Sequence, residues 1–218
     1  MKRLRVVVSL ITQDNDFQVE QAVAAEDAAR RLGIDCEILY ADNDSIQQSQ
    51  QILKFVQVEA SSRPDGIILE PVGGTALPQV ARAAVSGNIA WVVLNQEVEY
   101  VKQLRSAFKV PAFTVATDNL EVGRIQGKQL AMLLPEGGSA LYIQGPTETD
   151  AGKFRTAGMY ETKPANIQIK TMKGNWTEAS AFKAITSWLR LSTSQQSHMD
   201  VIIAQNDAMA AGAKKAFQ

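Results

Sequence analysis

Short β-branched apolar runs alternate with helix-length amphipathic stretches along the whole chain, and this alternation restricts the fold more than any other feature. The β-branched apolar run at 5–11 reads as a buried strand, and 36–40, 66–69, 90–94 and 113–116 read as further strands. Helical spacing is expected over 17–32, where Val19, Val23, Ala24, Asp27, Ala28 and Leu32 recur, with Gly33 placed to end the helix. A second helix follows Asp44 or Ser45, with Ile52, Phe55, Val56 and Ala60 as its apolar face, and a third spans 77–85. The stretch 95–111 reads as a long polar connection. The scheme then repeats. Helices are expected at 119–134 (with Val122, Ile125, Leu130, Leu133 and Leu134 as its apolar positions), 151–162, 178–191 and 208–217, and strands at 140–143, 168–172 and 201–204. Strands alternating with helices of this length make right-handed βαβ units and parallel sheets. The expected fold class is α/β. It has two Rossmann-like, doubly wound lobes joined by a hinge: an N-terminal lobe over 1–117, strand order 2-1-3-4-5, and a C-terminal lobe over 118–218. Three strands are few for a doubly wound sheet. The second lobe is therefore read as incomplete, with its C-terminal part missing, a state in which oligomerisation through that lobe is one outcome.

Composition narrows the chemistry. The 218 residues carry 22 Lys+Arg against 23 Asp+Glu, a net charge of −1, so no basic excess marks a polyanion partner. The charge splits as −3 before the Thr117 cut and +2 after it, which is no strong asymmetry. One cysteine, Cys36, excludes an internal disulfide. One histidine, His198, excludes a histidine-cluster metal site and leaves few acid–base pairs. No apolar run approaches the roughly 18 residues of a membrane span, and the run after the basic start is too short for a signal peptide. No cofactor motif stands out.

Ligands of open parallel sheets bind beyond the carboxyl ends of the strands. The residues at those ends are rich in amides, hydroxyls and carboxylates, with two aromatics, Phe17 and Trp176. That mixture reads hydroxyl groups as donors and acceptors and covers the C–H face of a ring. Other conspicuous residues have plainer readings. Ser9 and Cys36 are core residues, His198 is a solvated residue after the Ser/Gln-rich connection 192–197, and Gly73-Gly74-Thr75 is a turn and cap. Trp91 and Trp188 sit on strand and helix patterns and are read as packing residues.

Five segments together resemble one family. They are Val7-Val8-Ser9 with Asn15 and Phe17; Leu69-Glu70-Pro71; Thr117-Asp118-Asn119 with Gly123 and Gly127; Gln144-Gly145-Pro146 with Arg155 and Gly158; and Ala204-Gln205-Asn206-Asp207-Ala208-Met209-Ala210-Ala211-Gly212-Ala213. In this order and spacing the chain resembles the type I periplasmic sugar-binding proteins of the ribose-binding group, whose fold also forms the effector core of lac-repressor-type regulators.

The resemblance implies a site residue by residue. Asn15 matches a hydroxyl ligand and Phe17 a stacking aromatic. Glu70 stands where the family often has Asn, and Asn95 and Gln96 where ribose binders have an Asp-Arg pair. Thr117 matches a hydroxyl contact at the hinge, Arg155 a sugar-binding arginine, Trp176 a stacking aromatic and Asn206 an amide ligand. The Asn-Gln pair removes a charged clamp, and Gln18 replaces a second aromatic. The implied role is capture of a monosaccharide or related polyol by hinge closure, without catalysis or cofactor, and delivery to an ABC-type membrane permease or receptor. The implied compartment is the periplasm, although no signal peptide is read in this chain. The alternative is the cytoplasmic effector core of a regulator. No helix-turn-helix precedes Arg5, so this chain alone would not bind nucleic acid.

Overall fold

The computed structural model describes residues 3–73, 77–191 and 198–218. The chain divides into two compact units, Met1–Thr117 and Asp118–Gln218.

The first unit holds five strands: β1 (Arg5–Leu10), β2 (Asp35–Tyr40), β3 (Gly66–Leu69), β4 (Ala90–Leu94) and β5 (Ala112–Val115). They form one parallel sheet in the order β2-β1-β3-β4-β5, as the repeated βα pattern predicts. Period-two alternation sends neighbouring residues to opposite faces. Val7 joins a core with Ile67, Leu69, Trp91 and Val93. Helices α2 (Ser45–Val56), α3 (Pro78–Ser86) and α4 (Glu99–Ala107) supply Ile52, Ala84 and Leu104 to it. Val8 and Leu10 face the other way and pack with Ala22 of α1 (Asp16–Leu32). Local signals set the helix ends. Asp44 caps α2 by accepting from Ile46 N and Gln47 N, and Gly33 ends α1 in the left-handed conformation, φ 66°.

The second unit places β6 (Gly138–Gln144) between β7 (Ile167–Lys173) and β8 (Val201–Ala204), all parallel. Its faces are again both covered. Ala140 and Tyr142 pack with Leu130 of α5 (Asn119–Leu133) and Met159 of α6 (Asp150–Thr162). Leu141 and Ile143 pack with Ile185 of α7 (Glu178–Leu189) and Met209 of α8 (Asp207–Lys215).

The structure corrects four expectations. The stretch 95–111 is not simply a connection, because α4 forms within it. Val101 and Leu104, one turn apart, are buried and the intervening residues are polar. Ala60 is not on α2 but in an exposed 3-10 turn, Ala60–Ser62. On α1 the buried stripe is Gln18, Ala22 and Ala29, one position earlier than the Val19 and Val23 stripe, which is exposed. On α5 the buried face is Asn119, Gly123, Gly127 and Leu130, while Ile125 and Leu133 face outward. The Ser/Gln-rich connection 192–197 and residues Gly74-Thr75 lie outside the described residues.

The α5 correction has a direct cause. Helices α5 and α6 approach until backbone meets backbone. A Cβ on Gly158 would lie 2.0 Å from Leu120 O and 2.8 Å from Arg124 N, and one on Gly123 would lie 2.1 Å from Arg155 O. Only glycine fits such an approach, so the pair of helices is set by missing side chains, not apolar ones. Gly158→Ala is expected to cost about 3 kcal/mol or more, because the clash is with backbone that must move. Gly33→Ala has open space around its Cβ and only a left-handed φ to strain, and should cost about 1 kcal/mol. Urea unfolding of both variants checks the order; an equal loss would mean that α5 and α6 are loosely packed.

Candidate functional site

At the carboxyl edge of the first sheet a buried carboxamide organises two loops. Gln48 of α2 is fully buried. Its Nε2 donates to Ser9 Oγ at 3.1 Å and to Glu70 O at 2.8 Å, and its Oε1 accepts from Val72 N at 2.9 Å. Backbone that leaves a sheet loses its ladder partners, and Gln48 replaces them in a region closed to water. Ser9 is thereby a satisfied core hydroxyl.

The Glu70 side chain sits on this platform, half-buried. Its Oε2 accepts from Asn95 Nδ2 at 2.7 Å and from Gln18 Nε2. Gln18 is itself fixed, since its Oε1 accepts from Ile11 N at 2.8 Å. Asn95 turns toward Glu70 because its backbone is left-handed, φ 64°, a conformation Asn tolerates better than most residues. Burial pushes the Glu70 carboxyl above its ordinary range, and the bonds from Gln18 and Asn95 offset part of that rise.

Of the residues expected in the first lobe, Glu70 and Asn95 are thus joined directly. Gln96 lies beside them, donating from Nε2 to Pro71 O at 2.9 Å. Asn15 caps α1, its side chain accepting from Phe17 N at 2.9 Å, and its carbonyl accepts from Gln18 N at 3.0 Å. Phe17 is 51% exposed on the first turn of α1. Thr117 is exposed, two residues beyond β5, and outside the hydrogen-bonded cluster.

The second unit repeats the device. Gln205, 2% exposed, accepts on Oε1 from Gly145 N at 2.8 Å. Its Nε2 lies 2.6 Å from Tyr142 Oη, 2.9 Å from Thr156 Oγ1 and 3.0 Å from Gly152 O. The loop after β6 and the start of α6 are therefore held by one amide. Arg155 of α6 is then anchored from two sides: Nε donates to Asn119 Oδ1 at 2.9 Å and Nη1 to Gln205 O at 2.6 Å. Its guanidinium lies 5.8 Å from the Trp176 ring centroid, within cation–π range. Burial lowers the Arg155 pKa, and the fields of Tyr142 and Asp207 oppose that shift.

Trp176 has a left-handed backbone, φ 62°, which is strained for a bulky residue. Its carbonyl accepts from Asn206 Nδ2 at 2.9 Å, and Asn206 Oδ1 accepts from Met209 N at 3.0 Å, capping α8. The indole lies over Gly145, where a Cβ would come within 2.3 Å of the ring. Arg155, Trp176 and Asn206 are therefore one connected group. Trp91 and Trp188 are buried in the two cores.

Sequence reasoning did not single out Gln48 at all, and it named Gln18, Asn119 and Gln205 in the family resemblance, without their supporting role. Gln205 directly follows a half-buried strand, Val201–Ala204, and carried a readable signal there. Gln18 and Gln48 lie inside helices, where apolar spacing did not mark them as buried. Among the described residues no group of three or more His, Cys, Asp or Glu side chains could hold a metal ion, and no helix is long and apolar enough to cross a membrane.

The raised Glu70 pKa fixes the sign of a pH effect. The folded protein binds this proton more tightly than the unfolded chain does. The resulting stabilisation is full below the ordinary carboxylate pKa and is lost as pH rises through the raised value. Glu70→Gln keeps an oxygen for Gln18 and Asn95 but cannot ionise. Relative to this variant the parent should lose stability as pH rises above the ordinary carboxylate range, as read by denaturant melts at each pH. A constant difference would place the carboxylate in water.

A model of the family described as the periplasmic binding protein domain matches residues 6–218. A candidate rhizopine-binding protein of Rhizobium meliloti is 28% identical over 218 residues, covering 96% of this chain and 66% of its own length. The D-allose-binding periplasmic protein of Escherichia coli is 27% identical, covering 96% and 66%. The chain thus spans slightly less than two thirds of these curated relatives. Among solved structures, the periplasmic binding protein component of the arabinose ABC transporter from Shewanella sp. ANA-3 superposes with a TM-score of 0.82 at 21% identity, covering 97% of this chain and 68% of that one. The myo-inositol binding protein of Caulobacter gives 0.80 at 23%, covering 99% and 70%. These likenesses establish the fold. With the family model matched along nearly its whole length, the chain belongs to the periplasmic binding protein domain family.

Proposed function

We propose that the chain is the ligand-binding part of a solute-binding protein. It captures a monosaccharide or related polyol between its lobes by hinge closure and presents it, in the periplasm, to an ABC-type permease. The observation that carries the reading is that each unit fixes a small set of hydroxyl-reading groups at the carboxyl ends of its strands, using buried amides as supports. Glu70, Asn95 and Gln96 form one set, to which the family resemblance adds Asn15, Phe17 and Thr117. Arg155, Trp176 and Asn206 form the other. Relatives named for D-apiose import and for D-allose binding agree with a polyol ligand.

The mechanism is differential binding. A ligand that touches both sets favours the closed arrangement because only that arrangement makes both groups of contacts. Arg155 is suited to ring and hydroxyl oxygens, as a preoriented cation whose fork is held by Asn119 and the Gln205 carbonyl. Trp176 offers an apolar face to ring C–H groups at little conformational cost. No nucleophile–base pair is needed for this work, and none is assigned.

A thermal-shift screen over pentoses, hexoses and inositols tests the class, since a ligand that binds only the folded state raises its melting temperature. At least one should stabilise the chain; none doing so at millimolar concentration would overturn the reading. With the best ligand, Arg155→Ala should weaken binding by about 10- to 100-fold, the worth of a charge-assisted hydrogen bond. Trp176→Ala should weaken it more than Trp176→Phe does. Titration calorimetry on folded variants reads both, and unchanged affinity would remove the residue from the site.

A further inference from the structure

We propose that the polyol taken by this site carries an amine, and that Glu70 receives its ammonium group. The inference rests on the solute-binding reading above and narrows its ligand class. Glu70 is half-buried at the strand edge, and the side chains that hold it are neutral amides, Gln18 and Asn95. Both donate to the same oxygen, Oε2, which leaves Oε1 available to a ligand. Among the described residues no Lys, Arg or His forms an ion pair with Glu70. The neighbouring residues outside the described set, Gly74, Thr75 and Ala76, contain no basic group.

A carboxylate removed from water without a counter-ion is costly, and further enclosure by a ligand raises that cost. A hydroxyl offers a hydrogen bond but no charge. An ammonium offers both, and the resulting bond is short and about twice as strong as its neutral equivalent. The direction of the Glu70 pKa agrees: burial is its leading cause and no nearby cation lowers it. The second unit differs in kind. Arg155 already supplies a cation there, and its side chain is directed to oxygens. A ligand with an amine at one end and hydroxyl or ring oxygens at the other complements both sets.

The test uses matched triplets on the intact 218-residue chain at pH 7: an aldopentose, an aldohexose and an inositol, each compared with its amino-deoxy derivative and with the N-acetylated form of that derivative. The N-acetyl compound keeps the nitrogen and removes the charge. For at least one scaffold the amine should bind about tenfold or more tightly than both neutral members, by titration calorimetry. In Glu70→Gln, checked for folding by circular dichroism, the ratio of amine to N-acetyl affinity should collapse toward one. If the neutral members bind as tightly as the amine in the parent chain, the amine assignment is overturned and the polyol reading stands. If Glu70→Gln retains the full preference, Glu70 is not the receiving group and the assignment likewise fails. If no member of any triplet binds, the solute-binding reading fails and this inference with it. Should Glu70→Gln not fold, the comparison of amine with its N-acetyl form in the parent chain still decides.

Discussion

Buried carboxamides govern both candidate half-sites. A parallel sheet ends with a row of backbone groups that have left their ladder partners, and the loops that begin there carry the candidate side chains. Gln48 closes that row in the first unit and Gln205 in the second, each inaccessible to solvent and each bonded to several backbone or hydroxyl partners. An amide suits the position because it donates and accepts without bearing charge. Replacing either by an apolar residue would strand several polar groups at once, and buried unpaired groups cost about 1–3 kcal/mol each. The loops are therefore held to the sheet by the interior of the protein rather than by their own turns.

The candidate side chains depend on this support. Glu70 is oriented because its backbone is held by Gln48 and its carboxylate by Gln18 and Asn95. Arg155 is oriented because the Gln205 carbonyl and Asn119 hold its fork. The close approach of α5 and α6 at Gly123 and Gly158 matters for the same reason, since it sets where Arg155 stands relative to Asn119, which opens α5. A binding site gains affinity when its groups are already in place, because little ordering is left to occur on association.

The central strands β1, β3 and β6 were legible because residues buried on both faces of a parallel sheet must be apolar, and β-branched runs such as Val6-Val7-Val8 have few other uses. The helix faces were less legible. The inward stripe of α1 begins with Gln18, a polar residue buried for its hydrogen bonds, so a search for apolar spacing found the neighbouring Val19 stripe instead. On α5 the inward residues are glycines, which register on no hydropathy scale. Helix α4 hid because two apolar residues suffice to seat a short edge helix. The strand-end rule and the family segments pointed to the candidates Glu70, Asn95, Arg155 and Trp176. They could not indicate the buried amides inside helices, because those residues are defined by partners distant in sequence: Gln48 lies 22 residues from Glu70, and Gln18 lies 52 residues from it.

The most direct test of the account is a crystal structure of the chain with its tightest-binding polyol. The account predicts ligand polar atoms within hydrogen-bond distance of Glu70 Oε1 and of the Arg155 guanidinium, with the Trp176 indole flat against a C–H face of the ring. A ligand seated away from the carboxyl ends of the strands, with Glu70 and Arg155 untouched, would contradict it.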